Sequence, residues 1–213
     1  MLYYENKARK EGFQIVIGVD EAGRGPLAGP VVASAVCLKK KRFRNKICDS
    51  KKISPRQREK AFHEIFENAY VGVGVMSESV IDSLNILKAT HAAMAIAVNN
   101  LVLRLSPSAT GRKNFWKKVC VLIDGNSIPA DLPYASKAII RGDNLSMSIA
   151  CASIVAKVLR DRMLEAYDKV FPQYGFKKHK GYPTAFHRRA IGQHGLSLIH
   201  RKTFHLKDVV RKD

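Results

Sequence analysis

Ile15-Val16-Ile17-Gly18-Val19-Asp20-Glu21-Ala22-Gly23-Arg24-Gly25 is an apolar, β-branched run that ends in two adjacent carboxylates and a loop with two glycines flanking an arginine. Such a run reads as a strand buried on both faces. Carboxylates at the tip of a buried strand work against stability, because burying a charge without a partner is costly. They make sense as oxygen ligands for a hard divalent cation, whose charge offsets that cost. The competing reading is an Asp-Glu pair capping a following helix. Residues 23–30 contain Gly23, Gly25, Gly29, Pro26 and Pro30, too many breakers for that helix.

Working outward, 14–20 and 31–38 read as strands joined by the glycine loop, and 39–44 as a solvated turn or hairpin tip. Ser54-Pro55 is an N-cap followed by proline at the first helical position, opening a helix to about residue 69. The valine–glycine alternation of 70–76 predicts a third strand, with glycine where another backbone comes close. A long apolar helix spans about 79–105, with an interruption near Asn85. Residues 106–113 read as a polar loop. Val-Cys-Val-Leu-Ile-Asp at 119–124 repeats the opening pattern, an apolar strand ending in aspartate. Residues 138–140 read as a short strand running into Arg141-Gly142-Asp143, and 148–167 as a small-residue helix lying close on a sheet. A last helix is expected over 184–193. Strands alternating with helices make an α/β sheet domain.

Three strand ends thus carry acid: Asp20-Glu21, Asp124 and Asp143. Singly, each has an ordinary reading, Asp124-Gly125 as a turn and Asp143-Asn144 as a helix cap. Together they can converge at one sheet edge, where like charges repel unless cations intervene. Two divalent ions roughly 3.5–4 Å apart would neutralise them and clamp the attacking and leaving oxygens of a phosphodiester. An all-oxygen set favours magnesium or manganese over zinc. Gly18 and Gly23 have the spacing of a nucleoside-triphosphate loop, but Arg24-Gly25 stands where Lys-Ser/Thr is required.

The chain of 213 residues carries 37 Lys and Arg against 18 Asp and Glu, a formal net charge of +19. Basic residues cluster at 39–44, 51–58, 112–118, 177–180 and Arg188-Arg189. A polyanion, most commonly nucleic acid, is the natural partner. A non-catalytic ribosome-associated protein would account for this charge but not for acids at strand tips. Hydrophobic residues make up 46% and charged residues 26%, as in ordinary globular proteins. No stretch reaches the ~18 consecutive apolar residues that span a bilayer, and 1–12 are polar and charged, unlike a signal peptide. Cys37, Cys48, Cys120 and Cys151 lack metal-ligand spacing; Cys37, Cys120 and Cys151 sit in apolar segments and read as buried thiols of a reducing cytoplasm.

The block from Asp20 to Val31 (Asp-Glu-Ala-Gly-Arg-Gly-Pro-Leu-Ala-Gly-Pro-Val) resembles the signature of bacterial ribonuclease HII. So do Asp49-Ser50-Lys51-Lys52, Asn85-Ile86-Leu87-Lys88-Ala89-Thr90, Asp124-Gly125-Asn126 and Gly142-Asp143. Ser148 through Lys157 with Arg160-Asp161, His179-Lys180-Gly181-Tyr182-Pro183-Thr184, and His200-Arg201 with Phe204 complete the set. The blocks run in family order from about residue 15 to 205. Departures from the family pattern fall at Cys48, Ser83-Leu84, Arg141, Cys151 and a longer, more basic 106–118, none of them a candidate metal ligand.

The resemblance implies an RNase H-like mixed sheet flanked by helices over 1–168, with 169–213 as a small helical substrate-binding extension of the same domain. It implies an endoribonuclease that hydrolyses the RNA strand of RNA/DNA hybrids. The same enzyme would cut 5′ of ribonucleotides embedded in duplex DNA, leaving 3′-hydroxyl and 5′-phosphate ends. Asp20, Glu21, Asp124 and Asp143 would be the catalytic, metal-binding acids, holding two Mn2+ or Mg2+ ions. Gly23, Arg24 and Gly25 would read the ribose 2′-hydroxyl, the group that separates RNA from DNA. Tyr182 would stack on the sugar following the ribonucleotide, and Lys51 and Lys52, with Lys177, Lys178 and Lys180, would hold phosphates. A cytoplasmic monomer without membrane contact is expected.

Overall fold

The structure, a computed structural model, describes residues 1–106 and 114–204. Most of the expected 106–113 loop, the basic residues Arg112 and Lys113, and the tail from 205 onward lie outside the described residues. A five-stranded sheet has the order β3-β2-β1-β4-β5. β1 (Ile15–Ala22), β2 (Val31–Leu38) and β3 (Ala69–Met76) are antiparallel neighbours, whereas β4 (Val119–Asp124) and β5 (Ala135–Ile139) run parallel to β1.

Helices cover both faces. α4 (Ile86–Leu105) lies across β3, β2 and β1, burying Ala93, Ala97 and Leu101 with Ile17, Val19, Val121 and Ile123. Here the expected backbone approach is realised: a Cβ on Gly72 would collide with the Ala97 carbonyl, and one on Gly74 with that of Ala93. α4 is long and apolar enough, by length and composition, to cross a membrane, contrary to the expectation that no stretch qualifies. Its alanine-rich stripe is instead packed on the sheet. The opposite face receives α6 (Met147–Val170), whose Ala150, Ala152, Ser153 and Ala156 are all buried. α6 rides so low that a Cβ on Gly18 would collide with the Ser148–Ile149 backbone.

α2 (Pro55–Asn68) opens with the expected cap. The Ser54 hydroxyl accepts from the Gln57 N–H, and the Gln57 side chain accepts from the Ser54 N–H. The long helix breaks where expected: α3 (Glu78–Leu84) stops at Asn85, whose φ of 71° no helix accommodates, and whose side chain caps α4. Two expectations need correcting. The segment 1–12, read only as polar, forms α1 (Tyr3–Lys10), anchored by buried Glu5 accepting from the hydroxyls of Ser146 and Ser148. The strand placed at 138–140 begins at Ala135 and ends at Ile139. Asp143 therefore does not terminate a strand; it sits in the one-turn α5 (Gly142–Leu145).

Beyond α6 the chain folds into α7 (Phe176–His179) and α8 (Ala185–His194). Tyr174, Phe176, Ala190, Ile191 and Ile199 cluster with Leu164 of α6 and with Leu27 and Ala28 of the β1–β2 loop. The C-terminal helices are thereby seated on the loop that follows the first two acids.

Candidate active site

Strand register brings the first acids together. Val19 pairs with Ile123 in the parallel β1–β4 ladder, so the next residues, Asp20 and Asp124, emerge side by side on the α6 face. Ile139 pairs with Asp124, and the chain then reverses through Arg141, at φ 56°, and Gly142. The reversal points two amides at Asp124: its Oδ1 accepts from Gly142 N–H at 2.6 Å and from Asp143 N–H at 3.4 Å. A Cβ on Gly142 would stand 2.6 Å from Cδ1 of Ile149, so a larger residue here would require that side chain to shift. Asp20, Glu21, Asp124 and Asp143 all line one cleft of about 430 Å³.

The acids feel one another. Burial is the largest influence on Asp20, raising its pKa well above the usual carboxylate value, and the charges of Glu21 and Asp124 push it further. Its Oδ1 accepts from the Glu21 N–H at 2.7 Å, a partial compensation. Glu21 is raised, first by burial, although Arg24 Nη1 lies 3.5 Å from its Oε1 and opposes the shift. Asp143 is raised by burial, then by Asp124 and Asp49. Arg24 opposes the shift at Glu21 and Lys51 that at Asp143, yet Asp20, Glu21 and Asp143 all stay raised. Several mutually repelling carboxylates remain, a donor set of hard oxygens that suits divalent cations. Among the described residues no three His, Cys, Asp or Glu side chains close on a single point. The acids share a cleft and a field rather than a finished ligand cage.

The loop Gly23-Arg24-Gly25 and Tyr182 line the same cleft. Gly23 adopts φ +104°, and a Cβ there would collide with Arg160. Gly25 differs: the nearest atom to an added Cβ is Tyr182 Cε1 at 3.7 Å. Neither its φ nor its packing demands glycine, and the space over it is cleft. Tyr182 is 44% exposed.

Of the two lysines, Lys51 lines the cleft, and its charge reaches Asp143. Lys52 does not line it. Its ammonium donates to Asn144 Oδ1, and Asn144 Nδ2 donates to Asp143 Oδ1 at 2.7 Å, so Lys52 acts on the acid through an amide. Lys180 is engaged with Glu165 at 2.7 Å.

The sequence reading attached no role to two arginines, Arg160 and Arg201, which are only 1% and 2% exposed. Arg160 donates to the carbonyls of Pro30, Lys180 and Ala28, each at 3.0 Å. Arg201 donates to those of Gly29, Arg24 and Gly23. Arg201 thus holds the Gly23 and Arg24 carbonyls and the two arginines between them hold those of 28–30, while the N–H groups of Arg24 and Gly25 make no hydrogen bond among the described residues. A signal existed for Arg160: it falls at helical spacing from Ser153 and Ala156 on the buried stripe of α6. Arg201 had none, since its partners lie more than 170 positions away.

The model of the ribonuclease HII family matches residues 17–207. The ribonuclease HII of Syntrophus aciditrophicus (strain SB) is 47% identical over 208 residues, 97% of this chain and 92% of that protein. That of Ruminiclostridium cellulolyticum is 49% identical over 205 residues, 96% of this chain and 75% of that protein. Among solved structures, the ribonuclease HII of Archaeoglobus fulgidus, determined in complex with PCNA, superposes with a TM-score of 0.70 at 25% identity. The match covers 91% of this chain and 96% of that one. The sheet, the order of the motifs and these matches agree, and the chain belongs to the ribonuclease HII family.

Proposed function

We propose that this protein hydrolyses the RNA strand of RNA/DNA hybrids and cuts 5′ of single ribonucleotides in duplex DNA. Water adds to phosphorus, the bond from phosphorus to O3′ breaks, and 3′-hydroxyl and 5′-phosphate ends result. The observation that carries this reading is the cleft itself: four acids line it together with a backbone loop whose Arg24 and Gly25 N–H groups have no partner among the described residues, and with an exposed tyrosine. Asp20, Glu21, Asp124 and Asp143 would hold two Mn2+ or Mg2+ ions. Such ions supply charge stabilisation, lowering the pKa of the attacking water and neutralising the leaving oxygen.

The chain's own residues supply the selection. Gly23, Arg24 and Gly25 meet the ribose 2′-hydroxyl through backbone groups, and the missing Cβ of Gly25 lets the sugar edge approach. Tyr182 stacks on the following sugar. Lys51 contacts a phosphate, whereas Lys52 contributes by holding Asn144 and hence Asp143. The net charge of +19 draws the polyanion in and makes binding salt-dependent. Residues 169–213 serve as a substrate-binding extension of the catalytic unit 1–168, in a monomer working in a reducing cytoplasm.

The test is cleavage of a labelled RNA/DNA hybrid by wild type and Asp143→Asn with Mg2+ or Mn2+. A loss of about 100-fold or more in rate is expected, the scale on which removing one preorganised charge-stabilising group acts. Full cleavage by the variant would remove Asp143 from the site.

A further inference from the structure

Three histidines are packed behind Tyr182, and their hydrogen bonds fix where every proton sits. The backbone N–H of Ser197 donates to His200 Nδ1 at 2.8 Å, so that nitrogen is bare. His200 is buried, and burial followed by the neighbouring His187 pushes its pKa down to about 4. The ring is therefore neutral at ordinary pH, with its one proton on Nε2. Nε2 lies 3.0 Å from His187 Nε2, which must accept. His187 is likewise held neutral, its pKa lowered to about 4 mainly by burial, so its proton is on Nδ1. That nitrogen lies 2.9 Å from the carbonyl oxygen of Tyr182.

The result is a one-way chain, Ser197 N–H to His200 to His187 to the Tyr182 carbonyl. His179 supports it: its ring stacks on that of His187 at 4.3 Å, its Nδ1 accepts from Gly181 N–H, and its Nε2 is left to donate to the Tyr174 carbonyl. The Tyr182 carbonyl also accepts from Thr184 N–H at 2.8 Å. Between them stands Pro183, with a fixed φ and no N–H. Two donors on one carbonyl set the plane of the Tyr182–Pro183 peptide, and with it the direction in which the tyrosine ring leaves the backbone. Residues 180 and 181 are tied in turn to the glycine loop, by Arg160 on the Lys180 carbonyl and by Leu27 N–H on that of Gly181.

We propose that His187, polarised by His200, is a positioning residue that sets the angle at which Tyr182 meets the substrate. This rests on the reading of Tyr182 as a substrate contact. His187 touches no substrate and moves no proton; it acts only through the Tyr182 carbonyl.

The first test needs no variant. Long-range 1H–15N NMR of the wild type should show His187 protonated on Nδ1 and His200 on Nε2; the opposite tautomer in either ring overturns the proposal. The second is a double-mutant cycle on duplex DNA bearing one ribonucleotide, with folding followed by thermal melting. Tyr182→Ala alone should lower kcat/KM about tenfold or more, the scale of one lost stacking contact. An unchanged value would refute the Tyr182 reading itself. With that reading intact, His187→Gln keeps an acceptor for His200 but offers Tyr182 no donor. It should raise KM about tenfold, the scale of one lost hydrogen bond, and should add nothing to Tyr182→Ala. His187→Asn, with a donor at the δ position, should recover most of the loss. A His187→Gln effect that persists undiminished in the Tyr182→Ala background, or equal losses in Gln and Asn, would show a general packing role and overturn the proposal.

Discussion

Arg201 Nη2 donates to the carbonyl of Gly23 at 2.5 Å, a contact between residues 178 positions apart. The same guanidinium reaches the carbonyls of Arg24 and Gly29, so the loop beside the acids is shaped from the far end of the chain. A planar fork with five donors can serve several carbonyls at once, whereas an ammonium cannot.

Arg201→Lys should accordingly leave at least one buried carbonyl without a partner, at about 1–3 kcal/mol each. The expected loss is about 2–4 kcal/mol in urea unfolding, with cleavage falling further than stability because the glycine loop loosens. Unchanged stability would mean that the loop holds its shape without the guanidinium.

Gly18→Ala should destabilise the protein by about 3 kcal/mol. The added methyl meets the Ser148–Ile149 backbone, which cannot rotate away as a side chain would. Chemical denaturation checks this, and a neutral result would mean that α6 does not ride on β1 at that height.

The acids have a pH signature of their own. The Asp20 pKa is raised in the folded state, mainly by burial, so between the unfolded value of about 4 and the folded one the native protein binds more protons. Stability without divalent ions therefore falls as pH rises through that window. Asp20→Asn should raise stability at neutral pH by about 0.5–2 kcal/mol, an advantage that shrinks towards zero as pH falls to about 4. Melting curves in EDTA at several pH values give the comparison. A gain of equal size at every pH would point to packing rather than charge.

Divalent ions should act in the opposite sense to that repulsion. Mn2+ or Mg2+ at about 100 times its dissociation constant should stabilise the wild type by about 2.7 kcal/mol, since a ligand of the native state stabilises it by mass action. Asp124→Asn should lose most of that gain. An equal gain in both proteins would place the ions elsewhere.

Much of this was legible in the sequence because its causes are local. The run 15–19 reads as a buried strand, Ser54-Pro55 as the opening of a helix, and Asn85 interrupts an otherwise continuous apolar pattern. Register then brought Asp20 and Asp124 together. Asp143 reads as a strand end because the apolar 138–140 runs into it. The strand stops early because the reversal at Arg141 and Gly142 turns the Gly142 and Asp143 amides onto Asp124. Long-range pairing hid the remainder. Asp49, which raises Asp143, lies 94 positions before it in the chain. Arg201 looks like an ordinary member of a strongly basic chain until its carbonyl partners are known, and Arg160 is marked only by its place on the buried stripe of α6. The histidine chain behind Tyr182 joins residues that no local pattern links.

The most direct measurement is cleavage of labelled duplex DNA carrying one ribonucleotide, in Mg2+, Mn2+ or EDTA, by wild type and Asp20→Asn. A metal-dependent cut on the 5′ side of the ribonucleotide, absent in EDTA and abolished in the variant, is the predicted result. Binding of the duplex without any cut, or equal cutting by Asp20→Asn, would contradict the account.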